Sequence, residues 1–227
     1  MRHWTLLGEA PIPGTEQSLA LYQGKDDFFI KLIGKPSGGQ ELMNSRKHGS
    51  EDALGALPCQ RLRNPRAARV LIGGLGMGFT LAAALAELGP DAEVTVAELI
   101  PEVVEWNRGP LGERSGRPLD DPRTRVYVGD VAKLLRRSPQ RFDAIALDVD
   151  NGPEGLTRDR NDWLYSLAGI AAAQQALRPG GVLAYWSAGP DRDFHDALRC
   201  CGLQVEEVTV FAHGSKGARH TLWLARN

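Results

Sequence analysis

The apolar positions of this chain fall into three regimes. Near the N-terminus, Ser18 to Tyr22 and Phe28 to Ile33 are short apolar runs on either side of Gln23-Gly24-Lys25-Asp26-Asp27. Gly and Asp at such a junction signal a hairpin, and Lys35-Pro36-Ser37-Gly38-Gly39 then breaks the pattern. Strands without covering helices must pack on something, so residues 1–49 are expected to form a small β module with its connecting segment.

From Ala67 onward strand and helix patterns alternate. Arg69 to Ile72, Glu93 to Glu98, Arg125 to Val128, Phe142 to Leu147 and Val182 to Trp186 read as strands. Between them, Phe79 to Leu88, a segment opened by Pro101, Val131 to Arg136 and a run from about Asp162 to Leu177 read as helices. This alternation predicts right-handed crossovers and a parallel sheet with helices on both faces. The tail differs again: Val205 to Phe211 and Thr221 to Ala225, joined through His213-Gly214-Ser215-Lys216-Gly217, read as an antiparallel hairpin. The expected fold is α/β: a doubly wound, mostly parallel, Rossmann-like sheet over residues 50–227, with the small N-terminal β module before it and the hairpin closing it.

Composition adds exclusions. A formal net charge of −1 gives no bulk attraction to nucleic acid or to an anionic membrane. The opening MRHWTLLGEAPIPG lacks the apolar run of a secretory signal, and no later run is long enough to span a bilayer. Cys59, Cys200 and Cys201 fit neither a disulfide framework nor a zinc spacing and are expected to be small, mostly buried thiols. His195, His213 and His220 have no ligand spacing either, so no metal is expected. A cytoplasmic location is the corresponding expectation; separately, a homodimer is expected.

The chemistry concentrates at strand ends. Gly73, Gly74, Gly76 and Gly78 crowd the turn between the first strand of the α/β region and its helix, where backbone approaches a ligand that no side chain obstructs. Glu98 ends the next strand 20 residues after Gly78, the place where an acid holds ribose hydroxyls in such folds. Asp130 follows the third strand and faces an adenine amino group in this reading; Asp148 and Asp150 follow the fourth. Ligands bind outside the carboxyl ends of these strands, so the acids converge on one crevice. Carboxylates there attract a sulfonium and repel a pyrophosphate, which favours an S-adenosyl nucleotide over NAD.

At these residues the sequence resembles the polyamine aminopropyltransferases, the spermidine synthase family, within the larger class I S-adenosylmethionine-dependent fold. The resemblance runs from the β-rich N-terminal segment and residues Leu42 to Asp52 through LIGGLGMG, VAEL, VGD and LDVDNGPEG. It implies that Glu98 holds ribose, Asp130 holds adenine and Asp148 deprotonates an attacking amine. The departures are equally specific. The family's GGGDGG aspartate, which holds the amine of the aminopropyl group, is Gly76 here. An acidic pair is replaced by Arg46-Lys47, and a Tyr-His-Glu-like triplet by Ser50-Glu51-Asp52. The Asp-Ser-Ser-Asp-Pro motif is shortened to Asp148-Val149-Asp150-Asn151-Gly152-Pro153, and Ser187-Ala188 stand where a glutamine is common.

Three functions follow from these residues. The first is aminopropyl transfer from decarboxylated S-adenosylmethionine to a small amine, with Asp148 receiving a proton and Asp150 concentrating the cationic acceptor. The second is methyl transfer from S-adenosylmethionine, which Gly76 favours. The third is nucleotide sensing or assembly without catalysis. His48 and Ser50 are expected in a loop near the crevice, and Trp163 and Tyr165 either pack or line an acceptor pocket. Arg136-Arg137 and Arg158-Asp159-Arg160 read as solvated charge, with no stripe suited to nucleic acid.

Overall fold

Two sheets organise the chain in a computed structural model that describes residues 4–35, 39–148, 163–213 and 216–226. The first is an antiparallel meander of β1 (Thr5–Pro11), β2 (Ser18–Gln23), β3 (Phe28–Ile33) and β4 (Gln40–Asn44), in that order. β3 alternates strictly, burying Phe28, Ile30 and Leu32. The predicted hairpin is its centre, with Gly24 N–H donating to the Asp27 carbonyl at 2.8 Å. Its outer strands escaped the sequence pattern for physical reasons. β1 carries Gly8 and leaves Leu6 and Leu7 exposed, and β4 has five residues without a β-branched side chain.

The second sheet has seven strands in the order β10-β11-β9-β8-β5-β6-β7. These are β5 (Arg69–Gly73), β6 (Glu93–Glu98), β7 (Thr124–Val128), β8 (Phe142–Leu147), β9 (Leu177–Ser187), β10 (Gln204–His213) and β11 (Lys216–Arg226). β5 through β9 pair in parallel, and β11 runs antiparallel to both β9 and β10. The chain leaves β5 towards β6 and β7 on one side and returns to β8 and β9 on the other. The crevice at the carboxyl ends of β5 and β8 is therefore the topological switch point.

Period-two alternation covers both faces. Val70, Ile72, Leu222 and Leu224 face one core, with helices α1 (Gly49–Gln60), α2 (Phe79–Glu87) and α3 (Pro101–Arg108). Leu71, Leu183, Tyr185 and Trp223 face the other, beneath α5 (Val131–Arg136), α6 (Leu167–Ala176) and α7 (Arg192–Cys200); the short α4 spans Leu111–Arg114. Each buried aliphatic side chain contributes about 1.5–3 kcal/mol. Exposed pairs such as Arg66–Asp91 contribute about 0–1 kcal/mol, so the two apolar faces hold the sheet. Among the described residues no helix is long and apolar enough to cross a membrane.

Three expectations need correction. Residues 49–60 form α1, so Ser50 lies in its first turn rather than in a loop, and His48 is its N-cap. The two glycines and Pro58 in this helix hide it from propensity. Gly55 is there because α1 and α2 cross closely: a Cβ at Gly55 would lie 2.2 Å from the Thr80 carbonyl oxygen. The Arg178-Pro179-Gly180-Gly181 segment lies within β9 as an irregularity, with a register shift against β8 and Gly180 at φ +77°, instead of as a turn before it. Finally, Cys59 is buried and its thiol is pushed up to about 12 by burial, but Cys200 is exposed at the end of α7.

Candidate active site

The loop after β5 is built by main-chain contacts that exclude side chains. Gly74, Gly76 and Gly78 have φ of +95°, +51° and +85°, a region that penalises any residue with a Cβ. Space is closed as well: a Cβ at Gly74 would sit 2.6 Å from the Asp148 carbonyl oxygen. The Asp148 N–H donates to the Gly73 carbonyl at 3.0 Å. β5 and β8 thus end against each other, and Asp148 is carried to the side of the glycine loop.

Glu98, at the end of β6, is buried and clamps this loop. Its carboxylate accepts from Leu75 N–H at 3.0 Å and from Ile100 N–H at 2.9 Å. Burial raises its pKa above the ordinary value, and the surrounding backbone amides oppose that rise. Each carboxylate oxygen has two lone pairs, and the Leu99 and Gly76 amides also face the carboxylate. Gly74 N–H donates to the Ala97 carbonyl at 2.9 Å, and Gly129 N–H to the Glu98 carbonyl at 2.7 Å. The ends of β5, β6 and β7 are thereby laced together. Asp130 caps α5, accepting from Ala132 N–H at 2.8 Å.

Facing the loop is a cleft lined by Met43 and Asn44 of β4, Glu51 of α1, Gly76, Phe79 and Asp148. The small sheet seals it from one side, because Leu21, Phe28 and Ile30 pack with Met77 and Phe79. The Met43 thioether lies 3.1 Å from where a Cβ on Gly76 would project. Ser50 Oγ donates to Glu51 Oε2 at 2.6 Å, and His48 stacks on Phe79 at 3.9 Å with Nδ1 on Asp52 at 2.7 Å. Burial raises the carboxyl pKa of both Glu51 and Asp52. Arg46 turns away from the cleft to pair with buried Asp27.

The structure therefore brings together Gly73, Gly74, Gly76, Gly78, Glu98 and Asp148, with Asp130 at the next strand end. Asp150 and Arg158-Asp159-Arg160 lie outside the described residues. Trp163 lies under the Arg136 guanidinium at 3.8 Å, and the Tyr165 hydroxyl donates to the Trp186 carbonyl at 3.1 Å, which are packing contacts. Sequence reasoning missed Met43, Phe79, Glu51 and Asn107. Asn107 Nδ2 donates to the Gly76 carbonyl at 2.8 Å and to the Val103 carbonyl at 2.9 Å, pinning the loop from α3. An asparagine inside a helix is a poor helix former, and that misfit was a signal for it.

A seven-stranded sheet with this order, reversed at its last strand and carrying a glycine loop at the switch point, defines a class I S-adenosylmethionine-dependent type of α/β fold. The chain belongs to the spermine/spermidine synthase family: the Spermine/spermidine synthase domain matches residues 48–192. It is 30% identical over 128 residues to a polyamine aminopropyltransferase of Korarchaeum cryptofilum, covering 56% of this chain and 37% of that protein. A polyamine aminopropyltransferase of Mycobacterium tuberculosis (strain H37Rv) is 34% identical over 124 residues, covering 53% and 23% respectively. A spermine synthase of Arabidopsis thaliana is 27% identical over 190 residues, covering 75% and 49%. The chain spans less than half the length of these curated relatives. Its fold matches the crystal structure of spermidine synthase from Thermotoga maritima with a TM-score of 0.73 at 20% identity, over 97% of this chain and 72% of that one. A spermidine synthase in complex with the transition state analogue AdoDATO matches with a TM-score of 0.72 at 20% identity, over 97% and 71%.

Proposed function

We propose that this protein transfers an aminopropyl group from decarboxylated S-adenosylmethionine to a small amine, in the cytoplasm and as a homodimer. The supporting observation is the junction of β5 and β8, which sets Asp148 beside the glycine loop through the Gly73–Asp148 hydrogen bond. In this reading the nucleoside lies over Gly74 to Gly76, its ribose hydroxyls donate to Glu98, and its adenine amino group donates to Asp130.

The donor sulfonium makes its adjacent carbon electrophilic. An acceptor amine is an ammonium at neutral pH, with a pKa of about 10 like that of lysine, so a proton must leave before the lone pair attacks. Asp148 receives that proton and orients the nitrogen. The new C–N bond forms as the C–S bond breaks, and the electron pair stays on sulfur as the neutral thioether methylthioadenosine. Holding both reactants in line in the cleft supplies much of the acceleration.

One observation favours methyl transfer instead: at Gly76 there is no side chain, and the Met43 thioether borders that position. The products separate the two readings. Incubation with each donor and a panel of diamines and polyamines, followed by mass spectrometry, is expected to yield methylthioadenosine. S-adenosylhomocysteine in its place would establish methyl transfer. Neither product, with tight binding of methylthioadenosine, would leave a nucleotide-binding protein without this catalysis.

A further inference from the structure

Glu51 lines the cleft beside Gly76 and Asp148 yet takes no part in the chemistry above. It sits in the first turn of α1, and its Oε2 is held by the hydroxyl of buried Ser50. Among the described residues no lysine or arginine forms an ion pair with it. Arg46 is turned to Asp27, and the His48 ring is turned to Asp52. Burial keeps the Glu51 carboxyl above its usual range, while the Ser50 hydroxyl and His48 draw it back.

The remaining lining is apolar at Met43, Leu75, Met77 and Phe79 and polar at Asn44 and Thr80. Glu51 and Asp148 thus line one small space from different elements, together with methionine, leucine and phenylalanine residues that suit methylene groups. Gly76 brings no side chain between them, the Met43 thioether covers its face, and its own carbonyl is already engaged by Asn107. A group held beside the glycine loop has apolar side chains and an acidic residue within the same lining. An ammonium on a short methylene chain matches this lining, whereas a carboxylate at the same place adds negative charge beside Glu51 where solvent is restricted.

Resting on the proposed transfer reaction, we infer that Glu51 is the specificity-determining residue that receives the terminal ammonium of the donor's aminopropyl chain and discriminates against S-adenosylmethionine. That counter-charge comes from α1 and not from the glycine loop.

Calorimetry with decarboxylated S-adenosylmethionine, S-adenosylmethionine and methylthioadenosine tests this without turnover. The wild-type protein is expected to bind the decarboxylated donor at least about tenfold more tightly than S-adenosylmethionine, as for a charged hydrogen bond. Glu51→Gln keeps the Ser50 contact and removes the charge. It is expected to bring the ratio of the two affinities towards one, with methylthioadenosine, which has no chain ammonium, bound as before. An unchanged ratio in Glu51→Gln, or an equal loss for methylthioadenosine, would overturn the assignment while the transfer reading stands. A normal donor ratio with only the amine acceptor's KM raised would overturn it too, placing Glu51 on the acceptor. If the wild-type protein binds none of the three nucleosides, the transfer reading itself fails. Thermal melts confirm folding. Should Glu51→Gln not fold, Glu51→Asp, which keeps the charge on a shorter arm, is expected to retain a reduced preference and full methylthioadenosine affinity, and an unreduced preference would count against the inference.

Discussion

On one wall of the cleft, Gly74, Leu75 and Glu98 are joined by hydrogen bonds to backbone amides and carbonyls. On the other, Met43 of β4 sets its thioether against Gly76, and Glu51 of α1 lines the same space. The first wall is a consequence of backbone geometry, since strand ends, a left-handed glycine turn and a buried carboxylate define each other. The second wall is a matter of which side chains happen to reach the space. This second wall departs from the family pattern at Ser50-Glu51-Asp52, and the loop facing it departs at Gly76. In the proposed reading the backbone-built wall holds the nucleotide, and the side-chain wall decides what else is recognised.

The comparison breaks or holds on three substitutions. The largest effect is expected for Asp148→Asn, which retains shape but cannot accept a proton. Turnover should fall by about two to four orders of magnitude, with methylthioadenosine affinity nearly unchanged by calorimetry. If Asp148 serves only the local turn, melting temperature drops instead and turnover per folded molecule stays normal.

Glu98→Ala comes next and should act on both binding and folding. If Glu98 holds ribose as proposed, losing that charged hydrogen bond should weaken methylthioadenosine binding by roughly ten- to a hundredfold. The same change leaves the Leu75 and Ile100 amides without their acceptor, at about 1–3 kcal/mol for each amide that stays buried, readable by urea denaturation. Unaltered affinity in a folded variant would remove Glu98 from the nucleotide wall and leave it as a clamp alone.

Asp130→Ala is the smallest. Loss of the cap on α5 costs about 0.5–2 kcal/mol, and affinity should fall more for adenosine than for a nucleoside lacking the adenine amino group. Equal losses for the two would reduce Asp130 to a cap.

Most of the α/β region was legible in the sequence because its signals are local. Val131–Arg136 coincides with α5, Phe142–Leu147 with β8, and Pro101 begins α3. The glycines and Glu98 could be joined by counting, since a strand–turn–helix–strand unit has a nearly constant length. What escaped depends on contacts distant in sequence. α1 carries glycines and a proline because it must press against α2, so its propensity misleads. Met43 and Asn107 acquire meaning only when β4 and α3 are folded onto Gly76, and Glu51 only when α1 lies across the larger sheet.

The contact between Gly55 and the Thr80 carbonyl also sets an angular reference. Glu51 stands four residues before Gly55, so both lie on the same face of α1. One residue inserted or deleted between them would swing the carboxylate by about 100° around the helix axis, out of the cleft. A whole extra turn would restore its bearing and carry it about 5 Å along the axis. Length is thus as constrained as composition over this short stretch, and α1 serves as a gauge that sets how far a charge reaches towards the glycine loop.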